Sequence, residues 1–204
     1  TGTQNTAVGA FALDANTTGS NNTACGKGAL SANTTADNNT AVGKAAMQNI
    51  TTGDLNVAIG VGAMGAATEA DRNVAVGKDA LSAFVSSGDQ YAVAIGFNAM
   101  GATTTGSNNT AVGGSALAAN TTGGNNTALG YFALTSNTTA DGNTAIGKAA
   151  LYANTSGASN TAVGYNALDA NTTSDRNTAV GYDAMGANTT GSYNTAIGAY
   201  VLDA

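Results

Sequence analysis

A glycine recurs every 17 residues along this chain, and no other feature of the sequence restricts the fold as tightly. The anchors are the glycines that end each N-T-A-V-G-like segment. They are Gly9, Gly26, Gly43, Gly60, Gly77 and Gly96, then Gly113, Gly130, Gly147, Gly164, Gly181 and Gly198. Every step is 17 residues except Gly77 to Gly96, which is 19. The idealised copy reads N-T-A-V-G-x-x-A-L-x-A-N-T-T-G-x-x. Two residues before each anchor stands Ala, and one before it Val, Ile, Leu or the single Cys25. Four after it is always Leu or Met. The remaining positions drift, which separates packed sites from solvated ones.

A repeat of two helices needs about 33 residues or more, so 17 is too short. Asn, Thr and Gly at this frequency are also poor helix formers. Short segments bounded by Gly and Asn clusters read as strands and turns. The expectation is an all-β, parallel β-solenoid (β-roll) of twelve 17-residue coils, with residues 1–204 forming one repeat domain. Each coil is predicted to hold a strand at N-T-A-V-G, a second short strand at x-A-L-x-A and a tight N-T-T-G-x-x return. Stacked at about 4.8 Å, twelve coils make a rod roughly 55–60 Å long. One branched residue and one Leu or Met per coil are expected inside, with Cys25 as a small core residue. The Ala-lined face is expected to remain an apolar stripe that favours a parallel homotrimer.

Composition excludes several classes. The net charge is −6 with six basic residues in 204, which argues against nucleic acid, whose phosphates require clustered Lys and Arg. No apolar run reaches the roughly 18 residues of a membrane helix. One cysteine cannot form an internal disulfide framework.

The segments Asn160–Leu168 (NTAVGYNAL) and Asn143–Leu151 (NTAIGKAAL) resemble the head repeats of YadA-like trimeric adhesins. They are also similar to N-T-A-[VI]-G arrays of phage tail fibres and bacterial surface proteins. The resemblance covers essentially the whole chain. It implies a left-handed β-roll, trimeric association and display at a cell or virion surface for attachment. The YadA-type coil is usually a few residues shorter, so the N-T-T corner departs from that pattern.

Catalysis has little to work with: histidine is absent and no carboxylate pair has an evident reason for a shifted pKa. No cofactor is expected, and the chain reads as a non-enzyme. The strand-leading asparagines, missing only at Ala92, are expected to form hydrogen-bonded ladders. The N-T-T corners at Asn16, Asn33, Asn120, Asn137, Asn171 and Asn188 also match the glycosylation pattern, with turn and ladder duty as the competing role. Asp37, Asp54 and Asp71 fall in consecutive coils, where a Ca²⁺ ion would relieve their repulsion; solvated turn carboxylates are the plainer reading. Arg72 and Arg176 each follow such an Asp and offset its charge.

Tyr131, Lys148, Tyr165 and Tyr182 follow the anchor in four consecutive coils, beside Phe132. This file offers ring faces to a sugar or protein, or packs between chains or on neighbouring rings. Threonines at the strand position (Thr6, Thr23, Thr40 and onward) raise a second class, an ice-binding solenoid. That file is broken by Val57, Val74 and Val93. In the middle of the chain two residues are inserted near Ser86–Gln90, and Ile50, Leu55, Val57, Val61, Val74, Phe84, Val85 and Phe97 replace polar or small residues. A bulge beside an apolar patch fits this, as a docking surface, a bend or drift. Neither end carries a polar cap, which suits a segment of a longer shaft or end-to-end stacking of subunits. The functional expectation is an extracellular structural fibre or adhesin module. Its expected partners are copies of itself, in a homotrimer or an end-to-end filament, and a surface glycan or protein.

Overall fold

A computed structural model describes residues 2–203. Among them there is no helix, and the chain is a parallel β-solenoid. Twelve three-residue strands, from Thr6–Val8 to Thr195–Ile197, form one parallel sheet in which each strand pairs with those of the adjacent coils. Equivalent residues lie over one another: Thr6 pairs with Thr23, Ala7 with Ala24 and Val8 with Cys25. The register survives the insertion, since Val74, Ala75 and Val76 pair with Val93, Ala94 and Ile95. The 19-residue coil accommodates its extra length on the return side, where Ala70–Asp71 pairs with Gly88–Asp89 as a separate two-stranded ladder.

The expected second strand at x-A-L-x-A does not form. Two residues there adopt left-handed backbone in coil after coil, as Ala45 (φ 57) and Met47 (φ 47) do after Gly43. Ala46 N–H donates to the Gly43 carbonyl and Ile50 N–H to that of Met47, closing two tight turns. Met47 N–H itself donates to Ala63 of the next coil at 2.9 Å. A 17-residue coil has to return to its starting point within one layer, and a second extended segment would carry it past. Left-handed Leu or Met costs about 1–3 kcal/mol unless its surroundings hold it in place. Here the axial hydrogen bonds and a fully buried side chain do so.

The anchor glycines have a separate cause. Gly43 has φ 132, and a Cβ on it would lie 2.6 Å from the Gly60 carbonyl oxygen of the next coil. Successive backbones therefore meet at a spacing only glycine permits.

The core is thin and dominated by alanine. The strand Ala, the second Ala and the Leu or Met of each inner coil are fully buried, as at Ala41, Ala46 and Met47. The branched strand residues are outside, contrary to expectation: in inner coils Ile59 is 40% and Leu129 46% exposed beside fully buried Ala58 and Ala128, and Cys25 is an exposed free thiol. Side chains alternate along a strand, so an inward Ala turns both its neighbours outward. The apolar stripe left open is therefore the Val/Ile/Leu file, while the alanine files are internal.

The central apolar residues divide between the two sides of the wall. Ile50 and Phe84 occupy the corner position filled by Asn in other coils, and both are fully buried. Leu55, Val61, Val85 and Phe97 are exposed, and Val57 and Val74 are half-buried on the outer sheet face.

Candidate functional site

Two buried asparagine files follow the rod, the strand-leading one broken only at Ala92 and the corner one replaced by Ile50, Ala67, Phe84 and Thr103 in four central coils. In the strand-leading file each backbone N–H donates to the side-chain oxygen one coil earlier, as Asn39 does to Asn22 and Asn56 to Asn39, both at 2.9 Å. The side-chain amide then donates across its own coil, from Asn22 Nδ2 to the Ala36 carbonyl at 2.7 Å. In the corner file Asn137 donates to Asn120 Oδ1 and to the Ala140 carbonyl, at 3.0 and 3.1 Å. Both files thus converge on the carbonyl that ends the N-T-T corner. Of the six N-T-T corner asparagines, Asn33, Asn120, Asn137 and Asn171 are fully buried, and Asn16 and Asn188 are part-buried. In the folded coil their side chains serve the ladder and the turn.

The acidic file is tied to the backbone in the same way. Ser20 N–H donates to Asp37 Oδ1, Asp37 N–H to Asp54 and Asp54 N–H to Asp71, each at 2.6 Å. Each carboxylate therefore has a donor that lowers the cost of its like-charged neighbours. No cluster of three metal-ligating side chains occurs among the described residues. Arg72 pairs with Asp89 and not with its sequence neighbour Asp71. Arg176 lies 5.3 Å from the Tyr193 ring centroid and donates to the Tyr193 hydroxyl at 2.6 Å.

The threonines divide into two kinds. Strand threonines such as Thr127 and Thr144 share the outer sheet face with the branched file and are half-buried. The first corner threonines use their hydroxyls internally, as Thr121 Oγ1 donates to the Thr138 carbonyl at 2.9 Å and Thr138 Oγ1 to Thr155 at 3.1 Å, whereas the second ones, such as Thr122 and Thr139, are exposed.

The aromatic file is assembled as the spacing predicts, but its ring faces are already occupied. Tyr165 and Tyr182 stack with centroids 5.1 Å apart and 7° between planes, and the Lys148 ammonium lies 5.2 Å from the Tyr165 centroid. Tyr165 therefore has a neighbour on each side along the axis and turns its edge and hydroxyl to solvent. Tyr182 also meets Tyr200 at 5.3 Å, and that neighbour's charge is the main cause raising the Tyr182 pKa above its ordinary value. Tyr131 packs on Phe132 at 4.1 Å, and Phe132 meets Tyr152 edge-on at 6.1 Å. Tyr152 and Tyr200 join this cluster unforeseen; neither occupies the position directly after the glycine, where the file is visible in sequence.

In the first three coils the turns after the anchor glycine enclose an open groove of about 530 Å³, lined by Asp14, Lys27, Gly28, Ser31, Lys44 and Gln48. Further along, Asp169 sits in the corresponding region. Burial, then the neighbouring Asp183, raises its pKa above the ordinary aspartate value.

No protein-family model, no curated protein and no solved structure matches this chain.

Proposed function

We propose that this chain is a non-catalytic fibre module, the shaft or head of an extracellular adhesin or phage tail fibre, acting by rigid extension and multivalent attachment. One observation carries the reading: the backbone bonds that join coils run along a single axis in unbroken register from Thr6 to Ile197. Such an arrangement produces length and stiffness, and its stability accumulates coil by coil. The buried asparagine, alanine and leucine files serve that end, and the variable residues fall on the surface.

We propose further that the coil is left-handed and that three chains associate through the outer sheet face. There Val57, Ile59, Val74, Val76, Val93 and Ile95 form a continuous branched apolar patch in three adjacent coils. Burying this patch against copies of the chain removes it from water at about 25 cal/mol per Å². Small-angle scattering with light scattering tests both parts. The expected particle is a rod of three 19.6 kDa chains. A compact globular profile overturns the fibre, and a 19.6 kDa rod overturns the trimer alone.

The flat outer file of strand threonines favours a second reading, ice binding. The valines at 57, 74 and 93 interrupt that file at its centre, and the first corner threonines donate their hydroxyls to carbonyls. Thermal hysteresis with ice shaping by the purified chain would establish it.

A further inference from the structure

The solenoid gives most charged or aromatic side chains of the file after the glycine a partner in their own or the next coil, with two exceptions. Lys78 pairs with Asp79 at 2.9 Å and lies 5.4 Å from the Phe97 centroid, and Lys148 lies over Tyr165. Lys27 and Lys44 occupy the same position in consecutive coils. Among the described residues, neither forms an ion pair or a cation–π contact. Two like charges side by side on adjacent parallel strands or turns repel. In a chain of net charge −6 that carries six basic residues, this pairing has no structural beneficiary. Both lysines face the 530 Å³ cavity.

We propose that this groove binds a sugar bearing a carboxylate, such as a uronic acid unit of a surface glycan. The size lies in the range of pockets that enclose small ligands. The two ammonium groups supply charge-assisted bonds to one carboxylate and relieve their mutual repulsion in doing so. In the same groove, Asp14, Ser31, Gln48 and Asn49 offer acceptors and donors suited to ring hydroxyls. Phe11, 61% exposed, offers an unstacked ring to the apolar face of a sugar. The floor at Gly28 is open, and a Cβ there would meet nothing within 4 Å. This assignment deepens the attachment reading and rests on it for its biological purpose. It moves the recognition site away from the tyrosine file, whose rings are covered along the axis.

Titration calorimetry with trigalacturonate, and with neutral maltotriose as control, tests it. The expected result is saturable binding of trigalacturonate alone, weakened by added salt. The double variant K27Q/K44Q should weaken binding by about tenfold or more, since both charge-assisted bonds to the carboxylate become neutral ones. Gly28→Phe should block the groove while leaving the coil intact, because Phe11 and Phe132 occupy the equivalent position at φ 61 and 59. Circular dichroism and the thermal midpoint confirm that both variants fold. Absence of binding by the folded parent chain overturns the site. So does equal binding of maltotriose, or unchanged affinity in either variant. A rod that binds neither sugar removes this site and leaves the fibre reading intact, whereas a compact particle that binds trigalacturonate does the reverse.

Discussion

The backbone N–H of Asn143 donates to Oδ1 of Asn126 one coil earlier at 2.9 Å, while Nδ2 of Asn143 donates to the Gly157 carbonyl at the same distance. Its own Oδ1 accepts from the Asn160 N–H at 2.9 Å. One buried side chain therefore satisfies groups in two coils. Asn143→Ala leaves the buried Asn160 N–H without a partner and the Gly157 carbonyl with only its bond from Asn154 Nδ2, at about 1–3 kcal/mol in total. Denaturant unfolding should register the loss, and a change within error would show that the ladder contributes little. Ala92 shows that one such gap is tolerated, beside the buried Phe84 in the preceding coil.

Glycines of two kinds should respond oppositely to substitution. Gly43→Ala places a methyl group against the Gly60 carbonyl at φ 132, and should cost roughly 2–4 kcal/mol. Gly28→Asn enters open space at φ 71, where Asn98 and Asn166 adopt φ 53 and 52 in their own coils, and should change stability by less than about 1 kcal/mol. Thermal unfolding of the two variants side by side decides the matter; similar losses would contradict the close axial approach at the anchors.

The stacking, the coil length and the strand position are legible in the sequence because the anchor glycine and the residues around it recur in strict register. The direction of the branched residues was legible too, had alternation been applied within the strand: once Ala24 is inward, Thr23 and Cys25 have to be outward. The left-handed turns were not legible. Nothing about Leu30 or Met47 signals φ near 50, since neither residue favours that region and only the stacked neighbours enforce it. The central apolar residues needed their file position and not their hydropathy. Phe84 replaces a buried corner asparagine, while Phe97 follows an anchor glycine and points outward. The groove at Lys27 and Lys44 is invisible in sequence because its walls come from residues in three coils.

Stability should depend on pH through Asp169. Burial and the nearby Asp183, with a smaller effect from Asp203, raise its folded-state pKa above the ordinary 3.8, against the backbone N–H of Ala170, which lowers it. The folded chain therefore holds this proton more tightly than the unfolded chain. The stabilisation is present below the ordinary pKa and is lost as pH rises through the raised one. Asp169→Asn, neutral throughout, should raise the thermal midpoint near neutral pH and have little effect in acid below 3.8. An equal shift at both pH values would exclude ionisation as the cause.

Cys25 reports on the outer sheet face. It is exposed in the single chain and lies in the branched file. If copies associate through that face, a thiol reagent should modify Cys25 at least about tenfold more slowly in the assembly than in denaturant. Ile59→Lys and Ile95→Lys, at sites 40% and 38% exposed, should dissociate the assembly and restore reactivity without altering the circular dichroism. Rapid labelling of an assembled parent chain would place the interface elsewhere.

Modularity has its own test. Removing Thr127–Asn143 joins Asn126 to Thr144 and preserves the N-T junction, since Thr110, Thr127 and Thr144 are stacked equivalents. The shortened chain should fold with one coil fewer. A three-residue deletion within the same coil breaks every file above it and should cause aggregation or unfolding. Indistinguishable behaviour of the two deletions would refute independent coils.

Because the bonds between coils all point along the rod, a load applied to its two ends does not shear a ladder but peels it, one layer after another. Each layer released would lengthen the tether by about 55 Å, the contour of 17 residues less one coil spacing. The rod would thus yield in small, equal, sequential steps under tension and re-wind from whatever layers remain. Stretched between a surface and a moving particle, such a molecule dissipates a sudden pull through its own shaft before the attachment points have to bear it.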